Sequence, residues 1–147
     1  MIIIIVSLIL LADQLSKFLA DKYLALSDTV PLVNGIFHLT LVHNRGAAFG
    51  ILRNQLPFFI ITSFIAIALI IVNLKGQQGK KFSLYNLSLS LMLAGILGNL
   101  IDRLLFGHVI DFLDFRLWPV FNIADSSLTI GVMIFGWSIL KDRKTIN

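Results

Sequence analysis

Four stretches of this chain carry almost nothing that water would hold. Between Arg53 and Lys75 no residue is charged, and Pro57 offers a natural helix start. Phe82 to Ile101 is again free of charge, and residues 117–140 contain only Asp125. The first stretch, IIIIVSLILLADQLSKFLADKYL, begins at Ile2 and is interrupted by Asp13 and Lys17. A helix needs about 20 apolar residues to cross a bilayer. The pattern therefore predicts an all-α membrane protein with four transmembrane helices, at about 2–23, 56–74, 83–105 and 121–140, in one domain covering 1–147.

One polar loop has a pattern of its own. In VPLVNGIFHLTL, Asn34-Gly35 stands between two apolar runs, the signal for a two-residue hairpin. Phe37, Leu39 and Leu41 alternate with His38 and Thr40, which suits a small β-hairpin or ribbon with one apolar face. Such a ribbon suits the membrane surface or the roof of a cavity between helices. The run that follows, NRGAAFGIL, holds small residues that allow close backbone approach.

Composition agrees with a membrane chain: 57% of residues are hydrophobic and only 14% charged, where a soluble domain carries about a quarter. Mean hydropathy is +0.90. The first span lacks a positive leading segment and contains an ionic pair, so it reads as a mature helix, not a cleaved signal peptide. Lys75, Lys80 and Lys81 lie between helices two and three, and Lys141, Arg143 and Lys144 follow helix four. By the positive-inside rule both termini and the short middle loop face the cytoplasm, and the loops at about 24–55 and 106–120 face outward. The net charge of +4 then reports topology, not nucleic-acid binding.

Cysteine is absent, which excludes thiol catalysis, disulfides and thiolate metal sites. All eight acids are aspartates, and Asp13, Asp102, Asp111 and Asp125 lie in or beside apolar segments. Charges at such places are costly and mark either ion pairs or function. Asp13 and Lys17 have the i, i+4 spacing of an ion pair, with the acid first. Gly95, Asn99 and Asp102 share one face of helix three, with Arg103 adjacent, while Gly95 and Gly98 allow a neighbouring helix to come close. A simple Asp102–Arg103 pair snorkelling to the interface is the plain alternative. At 1.5 Å per residue Asp13 lies roughly 18 Å from the cytoplasmic start. Asn99, Asp102, Arg103, Asp111, Asn122 and Asp125 fall in the same outer layer, a coincidence of depth that scattered structural pairs do not require.

Asp111 and Asp125 flank a short connection that can turn them face to face. Two carboxylates in contact share one proton and titrate as a unit. Such a pair activates water with one member and protonates a leaving nitrogen with the other. Asp114 is a rival for Asp111 but reads as loop surface. Ser126 and Ser127 lack a histidine in triad context, since His38, His43 and His108 all lie in outer loops. A zinc site from His108 and Asp111 would need a third ligand that the sequence does not name. The chemistry therefore needs no metal and no cofactor.

The motifs DQLSK (13–17), NRGAAFG (44–50), GILGNLIDR (95–103), VIDF (109–112) and FNIADS (121–126), in that order along the whole chain, resemble the lipoprotein signal peptidase (signal peptidase II) family of bacteria. The resemblance implies a four-helix inner-membrane aspartic peptidase that cuts prolipoproteins just before a cysteine carrying a diacylglyceryl group. It implies Asp111 and Asp125 as the catalytic pair. Asp13, Lys17, Asn44, Asn99, Asp102, Arg103 and Asn122 fall on the family's remaining polar positions that shape the substrate pocket. The implied partners are the lipidated precursor and membrane lipid, with the chain a monomer. Two departures are visible: Ala94-Gly95 where the family often has two glycines, and a short stretch between the two aspartates. The competing classes are a small proton-coupled transporter and a structural membrane subunit. The absence of glutamate and the clear lysine and arginine bias argue against the transporter.

Overall fold

The structure, a computed structural model, describes residues 1–46, 54–77, 79 and 81–143. Ala47–Gly50 of the small-residue run, and Arg53, Lys80 and Lys144, lie outside the described residues. The elements in chain order are helix α1 (Ile2–Tyr23), strands β1 (Thr29–Val33) and β2 (Phe37–Asn44), helices α2 (Leu56–Lys75) and α3 (Leu84–Phe106), strand β3 (Val109–Asp114) and helix α4 (Ile123–Arg143). All four helices are long and apolar enough to cross a membrane.

α3 is the central helix and packs against α1, α2 and, most extensively, α4. Its buried face is made of small and polar residues, Ser88, Ser90, Ala94, Gly95, Gly98 and Asn99 among them. In lipid the hydrophobic effect does not drive helices together, so association relies on close packing and internal hydrogen bonds. A Cβ on Gly95 would overlap the carbonyl of Ala124 and the side chain of Leu128 in α4. One on Gly131 would lie 2.8–2.9 Å from Met92 and the Ser88 carbonyl. The sequence-based role of Gly95 and Gly98 in close packing is therefore realised, and α4 supplies Gly131 in return. α2 contributes little to this interior; of its residues only Ile70 is buried.

α3 starts at a capping box, in which the Ser83 hydroxyl accepts from the Asn86 amide and the Asn86 side chain accepts from the Ser83 amide. It ends because Gly107 adopts a left-handed conformation, φ 73°, and returns its amide to the Arg103 carbonyl. The chain then leaves as a strand. The segment VIDF, expected in the loop at about 106–120 that follows the helix, is instead the body of β3, since Gly107 breaks the helix and β2 offers an edge to pair with.

The sheet has the order β1-β2-β3, antiparallel throughout. Its hairpin turn also differs from the expectation. Val33 pairs with Phe37, so the connection is the three residues 34–36, with Gly35 at φ 74° and the Ile36 amide bonded to the Val33 carbonyl. Leu41, Ile110 and Phe112 pack with Ala20, near the C-terminal end of α1, and seat the sheet on that end of the bundle. The far edge of β3 is closed by Phe121, whose carbonyl accepts the Phe112 and Leu113 amides at 3.0 and 2.8 Å.

Adding a methyl at the α3–α4 contact separates packing from helix propensity. Gly95→Ala is expected to destabilise the protein by about 1–3 kcal/mol, the usual cost of overpacking. Gly136→Ala on the same helix pair meets nothing within 4 Å and gains helix propensity. Thermal unfolding in detergent should show a lower midpoint for the first variant and an unchanged or higher one for the second.

Candidate active site

The head of α4 explains why a carboxylate sits at the start of an apolar helix. Asn122 precedes the first turn and its side-chain oxygen accepts the Asp125 amide at 2.8 Å. The Asp125 carboxylate reaches back to the Asn122 amide at 3.3 Å, which closes a reciprocal capping box. An anion in the first turn also suits the positive end of the helix dipole. The box takes up Asn122 as a cap, so α4 begins at Ile123 and not at 121.

The same asparagine binds the second carboxylate. Asn122 Nδ2 donates to Asp111 Oδ1 at 2.7 Å. Asp111 comes to this point on β3, opposite Val42 of β2 and one diagonal step from Asn44. Diagonal neighbours on one sheet face are within side-chain reach, and Asn44 Nδ2 donates to Asp111 Oδ2 at 2.9 Å. Asn99, from α3, completes the set by donating to Asp125 Oδ1 at 2.7 Å. Three asparagines, from β2, from α3 and from the cap of α4, thus hold two carboxylates.

Both carboxylates line one cavity of about 240 Å³, together with Asn44, Asn99, Arg103 and the segment Trp118–Phe121. Burial pushes the Asp111 carboxyl up to about 7, and the negative charge of Asp125 adds to the shift. Hydrogen bonds from Asn44 and Asn122 and the charge of Lys17 act in the opposite direction. Such a group keeps its proton up to neutral pH beside a carboxylate, the state in which one member of a pair is acid and the other base.

The seven polar positions grouped by sequence divide in two. Asn44, Asn99 and Arg103 face the cavity. Asp13, Lys17, Asp102 and Asn122 stand behind its wall, each at most 2% exposed. Lys17 Nζ lies 2.8 Å from both Asp13 and Asp102. The expected Asp13–Lys17 pair is therefore present, whereas the alternative Asp102–Arg103 pair is replaced by Lys17–Asp102. Arg103 turns the other way, its guanidinium 4.8 Å from the centre of the Phe59 ring and 3.4 Å from the Asn99 carbonyl.

Other candidates fall into place by geometry. Asp114 is not loop surface: it is buried at the end of β3, where Thr40 donates to it at 2.8 Å and the Arg116 amide at 2.8 Å. Burial alone would raise its carboxyl, but these bonds and the Arg116 guanidinium hold it below the ordinary range. Asp114 lies three positions after Asp111, an odd step that places them on opposite faces of the strand. The Ser126 and Ser127 hydroxyls bond the carbonyls of Asn122 and Leu91. His108 stacks on His43 with ring centres 4.0 Å apart, and His43 lies 3.0 Å from Asp21. Among the described residues no three metal-ligating side chains converge.

A family model described as signal peptidase (SPase) II matches residues 5–141. The chain belongs to the signal peptidase II family. It is therefore a protease, and the transporter reading falls. It is 43% identical to the lipoprotein signal peptidase of Halothermothrix orenii, over 91% of both chains. It is 47% identical to that of Moorella thermoacetica, over 90% of this chain and 88% of the other. A solved bacterial membrane enzyme structure, determined in meso at 2.3 Å, superposes with a TM-score of 0.92 at 34% identity, covering 99% of this chain and 91% of that one.

This signal peptidase II chain also uses residues that the sequence did not single out. Gln14 bonds both Asp13 and Asp102, at 3.1 and 3.0 Å. Trp118, Pro119 and Val120 form part of the cavity wall. Gln14 lies inside the DQLSK motif, but only the packed helices reveal which carboxylates its amide reaches. Because Asp114 faces away from the cavity, Asp114→Asn is expected to keep turnover within about threefold of wild type. Its weakened Thr40 and Arg116 bonds should cost about 1–2 kcal/mol of stability, read as a lower unfolding midpoint.

Proposed function

We infer that this chain is an intramembrane aspartic endopeptidase that removes signal peptides from prolipoproteins, cleaving just before the diacylglyceryl-modified cysteine. The observation that carries the reading is the convergence of Asp111 and Asp125, from β3 and α4, on one cavity through a single asparagine. In this mechanism water lies between the two carboxylates. Asp125, ionised at the helix N-terminus, takes a proton from water as the oxygen attacks the peptide carbonyl. Asp111, protonated, hydrogen-bonds the carbonyl oxygen as charge develops there. A proton then passes to the leaving nitrogen. Each cycle returns the pair to one shared proton and uses no cofactor.

The substrate's chemistry suits the placement. A signal peptide is itself an apolar helix, and its acylated cysteine lies at the outer interface. The cavity sits at the sheet end of the bundle, opposite Lys75, Lys81 and Lys141. With those lysines in the cytoplasm, both termini are cytoplasmic and the dyad meets the scissile bond at the outer face of the bacterial inner membrane. The chain acts as one integral-membrane domain and as a monomer, since both carboxylates and all three asparagines come from the same chain. Arg103 offers a planar fork toward a substrate carbonyl or lipid phosphate.

Purified protein should convert a diacylated prolipoprotein, followed by gel shift, and leave the unmodified precursor uncut. Asp111→Asn and Asp125→Asn should each lower turnover by about 10²–10⁴-fold or more, the scale of general acid–base catalysis, with folding intact; near wild-type turnover in either removes that residue from the dyad. The sign of the pH response follows from the raised Asp111 carboxyl. Below about pH 7 Asp111 holds the shared proton, and above it the proton is lost and with it the general acid. Turnover at saturating substrate should fall as pH rises through about 7. Arg103→Lys keeps charge but loses the fork, and a drop of about tenfold in a stable protein is expected, where the snorkelling alternative has lysine substitute fully.

A further inference from the structure

Behind the cavity lies a charged cluster that the proposed chemistry does not touch. Asp13 Oδ1 accepts the amide of Ala124 at 2.8 Å, and Ala124 immediately precedes Asp125. Asp102 Oδ2 accepts the amide of Ile110 at 3.1 Å, and Ile110 immediately precedes Asp111. Between these two carboxylates stands the Lys17 ammonium, 2.8 Å from each. Its remaining hydrogen reaches Asn99 Oδ1 at 3.1 Å, and Asn99 in turn donates to Asp125. A lysine has three hydrogens to donate. Each of the three here leads, through one further hydrogen bond, to a dyad carboxylate or to the peptide amide just before one.

We propose that Asp13, Lys17 and Asp102 form a clamp of positioning residues that sets the separation of Asp111 and Asp125. The proposal rests on the dyad reading above. Neutralising Lys17 requires one acid, and the cluster has two, each bound to a different backbone amide. A second buried carboxylate is unfavourable unless it has its own partners, and here those partners are the two segments that carry the dyad. The clamp also has space reserved for it: a Cβ on Gly98 would lie 2.6 Å from Asp13 Oδ2. Gln14 closes the outer side, its amide nitrogen 3.1 Å from Asp13 and 3.0 Å from Asp102. None of these four side chains lines the cavity, so they act on the reaction through the dyad and not through substrate.

The test changes length while keeping charge. Asp13→Glu and Asp102→Glu retain the carboxylate but add one methylene, displacing the anchored amide by about 1 Å, a misplacement that costs about 100-fold when it reaches the reacting groups. With purified full chain and a diacylated prolipoprotein, each variant should lose at least about tenfold in kcat with KM within about threefold. Melting temperature in detergent should stay within a few degrees. Gln14→Leu, at the partly exposed edge, should show a smaller loss in kcat alone, and it decides the matter if a Glu variant fails to fold. Wild-type kcat in the folded variants overturns the clamp. So does a loss confined to KM, which would place these residues against substrate. Asp111→Asn and Asp125→Asn run alongside: if they stay active the dyad reading fails, and if they are inactive while the clamp variants turn over normally, the clamp alone fails.

Discussion

A lysine ammonium inside a bilayer must find an acceptor for every hydrogen, because no water is there to supply one. Lys17 meets that constraint with Asp13 from its own helix and with Asp102 and Asn99 from α3. The half of the molecule that carries the sheet is organised around that point. Asp13 ties α1 to the first turn of α4, and Asp102 ties α3 to the start of β3. Stability alone is a poor reason for such a cluster, since replacing a buried ion pair with apolar residues is often neutral, whereas breaking it costs about 3–5 kcal/mol. What an apolar replacement lacks is direction. It holds no particular amide in a particular place.

The two pairs of carboxylates are treated in opposite ways. Asp13 and Asp102 share a cation, which offsets part of their charge. Asp111 and Asp125 are held instead by neutral amides from Asn44, Asn99 and Asn122. An amide donor fixes a carboxylate in space while leaving most of its charge uncompensated. Burial and the charge of Asp125 outweigh those amide bonds and the charge of Lys17, and the Asp111 carboxyl rises to about 7. A guanidinium in place of Asn44 would fix Asp111 equally well but hold it ionised.

Close packing brings the parts near enough for these bonds. The bonds between Asn99 and Asp125 and between Asn122 and Asn99 require α3 and α4 to meet nearly backbone to backbone, which Gly95, Gly98 and Gly131 allow. α2 stands apart, packed on α3. Through Phe59 it supports the Arg103 side chain from the cavity's flank.

Hydropathy, which is local, is enough to place four spans, and the depth of each polar residue along a span follows from the helical rise. For that reason the sequence alone determined the helices, the common layer of aspartates and asparagines, and through its motifs the family. Partners are another matter. Whether Asp102 bonds Arg103 beside it or Lys17, far off in the chain, depends on how α1 lies against α3, and no pattern along one helix carries that. β3 escaped for a similar reason: VIDF is short and apolar, equally at home in a helix end or a strand, and the choice belongs to Gly107 and the free edge of β2. Asp114 looked like surface because its burial comes from Thr40 across the sheet. Only the tertiary structure separated the side chains that face the cavity from those that hold it in place, because that distinction is a matter of which side of a wall each one stands on.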